Sequence, residues 1–318
     1  MKKLLLASAT LMISSSVAFA QEERIVWGGG APNVSAYSGI YVPAIIDALT
    51  SNRLAGYQWG GPTEGTLDNL SRVRANPTHI AVGQLDMIDG EPGITILHRD
   101  IGPECLYMVT TEVGYENFGH VLGNAWDLQV ITGGMMSGSF GTWQNLAGIY
   151  PDLQDMPVVH AGGAGAILEA VKNASEPSVG FFVQRPNPNS DVFKTIADAG
   201  MTFVPVIDLD LEEDYNFFSL KVAHTGFMGL GDGEFVETAC TSVALFTGVT
   251  DGLEGRDLRR LEATIDRVTN SDAAMFTPST RDFRDMFNGI SRMTGDRISQ
   301  LAADARRTAA EIAEGIGN

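Results

Sequence analysis

WGGGAPNVSAYSGIYVPAIIDAL, Trp27 to Leu49, is the stretch whose reading decides the fold. The apolar run Ile25-Val26-Trp27 leads into three glycines, a polar loop, and then an apolar segment with helical spacing. That order predicts strand, glycine loop, helix. Such a loop gathers backbone N–H groups and a helix N-terminus around one point, which suits a carboxylate or another anion. Glycines let the backbone come close, and Asn33, Ser35, Tyr37 and Ser38 add neutral hydrogen-bonding groups. Alone, the stretch is equally an ordinary βα connection. The same design returns at Val130 to Ala147, VITGGMMSGSFGTWQNLA, and the recurrence favours a binding site.

Outward from these two copies the chain reads as α/β. Residues 56–59 predict a second strand, entering Gly60-Gly61-Pro62-Thr63-Glu64-Gly65. Leu67, Leu70 and Val73 fall at helical spacing, Asn76-Pro77 ends that helix, and residues 80–82 form a short strand leading to Gln84 and Asp86. Strand and helix alternate, the pattern of a parallel sheet. Residues 105–111 predict a strand, and residues 128–132 open a second α/β unit. Its helices are expected at 142–150, 164–174 and 193–199, its strands at 158–160, 179–183 and 202–206. The β-like run VETACTSVALFTG at 236–248 follows, and 256–315 reads as helical. The chain is thus expected to leave a first lobe near Val109 and to return near Cys240. Residues 21–109 and 240–318 would form lobe 1 and residues 110–239 lobe 2, with two crossings and a cleft between them.

Residues 1–20 have the composition of an export leader: Lys2-Lys3, an apolar and small-residue centre, and Ala18-Phe19-Ala20. The expected location is therefore periplasmic or extracellular. Without Lys2 and Lys3 the formal charge moves from −18 to −20, which argues against nucleic acid or an anionic membrane surface as partner. A small anion is not excluded, because a glycine loop makes its own local positive potential. Cys105 and Cys240 are the two cysteines. On strands that leave and re-enter the first lobe they would lie side by side, and an oxidising compartment would pair them. A disulfide requires Cα atoms about 4.4–6.8 Å apart. The alternative is two buried free thiols.

Catalytic signatures fail one by one. There is no G-x-S-x-G and no Gly-Lys pair, and His79, His98, His120, His160 and His224 have no metal-ligand spacing. Gly163-Ala164-Gly165 lacks the third glycine of a dinucleotide loop and reads as a helix start. The acidic run Asp208 to Asp214 lacks the spacing of a calcium loop. No cofactor, metal or enzymatic activity is expected.

The surviving motifs resemble the TAXI-type solute receptors of tripartite ATP-independent periplasmic (TRAP) transporters. Gly29-Gly30 followed by Gly39-Ile40-Tyr41-Val42-Pro43 is similar to that family's opening loop, with an apparent insertion at 32–38. Gly60-Gly61-Pro62-Thr63-Glu64 through Asn69-Leu70 resembles its second loop, and Ala81-Val82-Gly83-Gln84-Leu85-Asp86 its strand end. Gly134-Met135-Met136-Ser137-Gly138-Ser139 is similar to its second-lobe Gly/Ser turn. Phe181-Phe182 through Pro188 resembles its Phe-Phe segment, although Gln184-Arg185 departs from the small residues usual there. The resemblance implies an α/β fold of the two-lobed type II periplasmic-binding class, with two hinge crossings and a helical C-terminal segment. It implies a monomeric receptor that passes a small anionic or zwitterionic organic acid, of amino acid or dicarboxylate type, to membrane transporter subunits. A binding protein serving a sensor or an ABC system, or an exported enzyme on the same fold, is the alternative. The residues expected around the ligand are Trp27, Gly29, Gly30, Asn33, Ser35, Tyr41, Thr63, Glu64 and Gln84 from one lobe. From the other come Ser137, Gly138, Ser139, Gln184 and Arg185, where Arg185 is alternatively a surface arginine beside a Pro-rich turn.

Overall fold

A computed structural model describes residues 24–33, 35–51, 56–186, 190–222 and 234–248, together with Arg259 and Ala263. The expected leader at 1–20 and, apart from Arg259 and Ala263, the expected C-terminal helical segment lie outside the described residues.

The opening stretch folds as strand, loop and helix. β1 (Arg24–Gly29) runs into the glycine loop, residues Tyr37–Tyr41 make one π-helical turn, and α1 (Val42–Ser51) follows. β2 (Tyr57–Thr63) pairs parallel with β1, and its register slips between Val26 and Gly28, so Gly60 and Gly61 lie inside the strand and not in a loop. α2 (Thr66–Ala75) then carries the chain to β3 (Ile80–Gln84), which pairs parallel with the other side of β1. A one-turn helix α3 (Leu85–Ile88) and β4 (Ile94–His98) complete this part. Helical crossovers leave both sheet faces to be covered, and the inner strands β1 and β3 are accordingly mostly apolar and buried, while the edge strand β2 is largely exposed. Tyr41, Ile45 and Leu49 pack on one face, Leu70, Val73 and Phe246 on the other.

The second unit is built from β5 (Pro103–Thr110), α4 (Phe118–Gly123), β6 (Gln129–Thr132), α5 (Gly138–Ile149), β7 (Val158–His160), α6 (Ala164–Lys172), β8 (Ser178–Gln184), α7 (Asp191–Asp198), β9 (Thr202–Val204) and β10 (Asn216–Val222). Its sheet has α5 on one face, where Trp143 of the helix packs with Leu106 and Phe181, and α6 and α7 on the other, where Phe193 of α7 packs with Tyr107 and Phe182. Gly163 does start a helix, α6, and most of the acidic run from Asp208 is exposed.

β11 (Glu234–Gly248) joins the two units. Its first half pairs antiparallel with β10 and, at 240–242, with β5; from Val243 onward it pairs with β3, and from Leu245 with β4. One continuous sheet of the described strands therefore runs β2-β1-β3-β11-β5-β8-β6-β7. The chain crosses between lobes twice, at the start of β5 and within β11. β5 pairs with β11 at 103–105 and with β8 from Cys105 onward, so it belongs to the second-lobe sheet along nearly all its length, and the expected boundary of 109/110 falls at the far end of that strand. Two α/β lobes joined by two strand crossings is the type II binding-protein architecture.

Cys105 stands directly opposite Cys240, and a disulfide joins them. Their Cα atoms are 3.9 Å apart, closer than the expected window and than the roughly 4.5 Å of an ordinary non-hydrogen-bonded antiparallel pair.

Candidate functional site

The strand registers put three polar side chains in one row across the hinge. Thr241 of β11 pairs with Glu104 of β5, and Cys105 pairs with Gln184 of β8. Continued by one residue, the second register sets Arg185 opposite Glu104. Alternation then places Thr241, Glu104 and Arg185 on one face, the face that carries Leu106, Met108 and Phe181 under α5. Cys105, Cys240 and Gln184 fall on the other face, towards α6 and α7. Gln184 therefore does not join the row. Arg185 is half-buried and acts electrostatically on both Glu104 and Tyr41, so it belongs to the interlobe region, not to an outer surface.

The first lobe reaches the same place. Tyr37 Oη donates to Glu104 Oε2 at 2.9 Å, and Gln84 also hydrogen-bonds Glu104. Ser38 Oγ donates to the Gly28 carbonyl at 2.7 Å and so closes the glycine loop on the turn that carries Tyr37. Burial pushes Glu104 up to about 8, against the pull of Tyr37, Gln84 and Arg185, and the Asp86 charge adds to the rise. The same burial raises Tyr37 well above its ordinary value and Tyr41 to about 12. Tyr41 is fully buried, and its hydroxyl finds no hydrogen-bond partner among the described residues.

The N-terminus of α5 faces this cluster. Ser137 caps it by accepting from Phe140 N at 3.1 Å, and Ser139 Oγ accepts from Val183 N at 3.0 Å, which ties the first turn of the helix to β8. His160 is held against Gly133 O at 2.8 Å beneath the same turn. Gly133 has no room for a Cβ because Ser137 fills the space.

The lobes are in direct contact. A Cβ on Gly65, whose φ is +144°, would lie 2.8 Å from Gly138 N and 2.9 Å from Ser137 Cα. A Cβ on Gly138 would collide with Gln84 Oε1. Asp68 N donates to Met136 O at 3.3 Å. Asp86 fastens the contact. Its Oδ2 accepts from Thr142 Oγ1 at 2.8 Å and Tyr215 Oη at 2.9 Å, and its carbonyl accepts from Asn145 Nδ2 at 2.8 Å. All three donors belong to the second lobe. Burial raises the Asp86 carboxyl despite these hydrogen bonds, and its Oδ1 finds no partner among the described residues.

The expected site residues divide accordingly. Gly29, Tyr41, Gln84, Ser137, Gly138, Ser139 and Arg185 gather at the interface between lobes. Glu64 is exposed near its rim, with Oε2 3.9 Å from where a Cβ on Gly134 would be. Thr63 is buried and spends its hydroxyl on Asn69 Oδ1 at 2.7 Å. Ser35 Oγ accepts from Tyr37 N at 3.2 Å, so it shapes the turn, while Gly30 bonds Thr63 O and Asn33 is exposed on the loop. Trp27 does not join the group. Its Nε1 donates to His79 at 3.0 Å and Arg72 lies over its ring at 4.4 Å, so it packs on the α2 side of β1. Glu104 is absent from the expected set. The signal for it was available: Glu104, Leu106 and Met108 share one strand face, and a carboxylate on an otherwise apolar face is out of pattern. Among the described residues no group of His, Cys, Asp or Glu is gathered as a metal site, and no helix is long and apolar enough to cross a membrane.

No protein-family model matches the chain, and no curated protein does. Solved structures similar to it include a TctC solute-binding protein from Polaromonas, 14% identical over 92% of this chain and 97% of that one, with a TM-score of 0.44. XAC2383 from Xanthomonas citri, bound to chloride, is 11% identical over 91% and 99%, with a TM-score of 0.48. The GluR0 ligand-binding core in complex with L-glutamate is 9% identical over 79% and 96%, with a TM-score of 0.45. Likenesses at this level fix neither a ligand nor a partner.

Proposed function

We propose that this chain is an extracytoplasmic receptor that holds a small organic acid between its lobes and delivers it to membrane transporter subunits of the TRAP type. The observation that carries the reading is the convergence on one buried point of Glu104 and Arg185 from the hinge strands, Tyr37 and Gln84 from lobe 1, and the N-terminus of α5 from lobe 2. Oriented N–H groups and a guanidinium together suit a carboxylate. Contacts that differ between an open and a closed arrangement are what a ligand needs in order to bias closure. In this reading the acid is bound and released unchanged. Export through the 1–20 leader and handover to TRAP subunits rest on the leader-like composition and the motif resemblance.

A thermal-shift panel of amino acids, 2-oxo acids and dicarboxylates at pH 7 tests the reading, since ligand at 100 times its Kd stabilises by about 2.7 kcal/mol. At least one acid should raise the melting temperature and be recovered unchanged after long incubation. Arg185→Ala should weaken its binding at least tenfold, about 1.4 kcal/mol. A panel without any shift overturns the receptor reading, and a smaller loss in the variant removes Arg185 from the site.

A further inference from the structure

Glu104 accepts from Tyr37 and Gln84, but neither donor requires a carboxyl at this place. A carboxyl group nearly out of solvent on an apolar strand face is destabilising, and a well-packed apolar residue would serve the fold at least as well. Two donors, Tyr37 Oη and the Gln84 side chain, occupy part of it. A carboxylate offers roughly four acceptor positions, so capacity remains. The β5–β8 register ends at the pair Cys105 and Gln184, so Glu104 and Arg185 are the next residues of their strands at the hinge, and Arg185 acts electrostatically on Glu104. An acidic and a basic group are thus presented side by side at the hinge, beneath the N-terminus of α5. The polar atoms nearby include the partnerless Tyr41 hydroxyl and Asp86 Oδ1.

We propose that Glu104 is the receptor for a ligand ammonium group and Arg185 for the adjacent carboxylate, so that the site takes a zwitterionic α-amino acid in preference to a 2-oxo acid or a dicarboxylate. This rests on the receptor reading above. The ammonium and carboxylate of an α-amino acid are borne on one carbon, so one small ligand can meet two neighbouring groups of opposite charge. A dicarboxylate would bring its second negative charge towards Glu104 and Asp86, which already act on each other. An ammonium group brings a positive charge to both carboxyls. The proton that burial holds on Glu104 is then released as the ion pair forms.

Matched pairs separate the outcomes: L-alanine with pyruvate, L-leucine with 4-methyl-2-oxopentanoate, and L-glutamate with 2-oxoglutarate, titrated calorimetrically into the purified protein at pH 7. One amino acid should bind at least 100-fold tighter than its 2-oxo partner and release close to one proton, read from the dependence of the heat on buffer ionisation enthalpy. Glu104→Gln should lose at least tenfold for the amino acid, leave the 2-oxo acid unchanged, and melt no lower than the parent protein without ligand. A 2-oxo acid that binds as tightly as its amino acid overturns the inference and leaves the receptor reading standing. So does amino acid binding without proton release in the unaltered protein, a readout that does not depend on any variant folding. Binding by neither member of any pair, or by any acid of the wider panel, overturns both.

Discussion

Burial and charge pull Glu104 in opposite directions, and the balance has a pH signature. Its folded value is about 8 against an ordinary 4.5, so the folded chain keeps a proton that the unfolded chain gives up. Stability is fully present below about 4.5, falls as pH rises towards 8, and is flat above it; the slope reaches about 1.4 kcal/mol per pH unit for one such group. Asp86, raised by burial as well, adds a contribution of the same sign. Tyr37 and Tyr41 face Glu104 too, but burial raises both hydroxyls, and they stay neutral across it. Melting temperatures of the ligand-free protein should therefore drop between pH 5 and pH 8, and Glu104→Gln should flatten most of that slope. A variant that keeps the slope would place the buried proton elsewhere. The residue scale is also where the sequence was least legible. Ser139 and Thr63 were singled out as ligand groups because hydroxyls beside glycines suit anions, yet their hydroxyls serve Val183 N and Asn69. A short polar side chain beside a loop satisfies the backbone first, and no spacing rule distinguishes that use from a ligand contact.

Elements were more legible, because periodicity reports them directly. The glycine loop, α6 and β8 lie where apolar spacing placed them, while α5 starts at Gly138, four residues before its expected start, and takes Gly138 and Ser139 into its first turn. β4 and β10 were not anticipated, since both take their place by pairing with β11, far away in sequence, and local pattern carries no trace of such pairing. The contact between α3 and α5 is of the same long-range kind, and it has a measurable consequence. Asp86 in α3 accepts two second-lobe hydroxyls, and hydrogen bonds to a charged group each contribute roughly 1.5–3 kcal/mol. Asp86→Ala should shift the ligand-free population towards an open form, raising the radius of gyration in solution scattering. Affinity for whichever panel acid binds should fall at least tenfold, because only the closed fraction grips it. Thr142→Val and Tyr215→Phe should each reproduce part of the effect. Scattering and affinity both unchanged in Asp86→Ala would mean that closure depends on other contacts.

At the scale of the whole molecule, two lobes with two crossings were readable from a β-like run that returns after a complete α/β unit. The crossing was misplaced by most of β5 because a continuous apolar strand carries no mark of the sheet to which it belongs. Cys105 and Cys240 nevertheless report the geometry, since only adjacency of those two strands can join residues 135 apart in sequence. The bond lies on the second-lobe side of the crossing: 240–242 pair with β5, and β11 passes to β3 from Val243 onward. It therefore pins the two strands that enter and leave the second lobe and leaves the passage between lobes free to rotate. By the loop-closure model such a link stabilises by roughly 2–5 kcal/mol, mostly by restricting the unfolded chain. Replacing both cysteines, Cys105→Ala with Cys240→Ala, should lower the denaturation free energy by that amount with ligand affinity unchanged within twofold. The unreduced parent protein, alkylated under denaturing conditions, should take up no label. Two labelled thiols would remove the disulfide, and a variant that keeps full stability but loses binding would make the bond part of the closing motion instead of a clamp on one lobe.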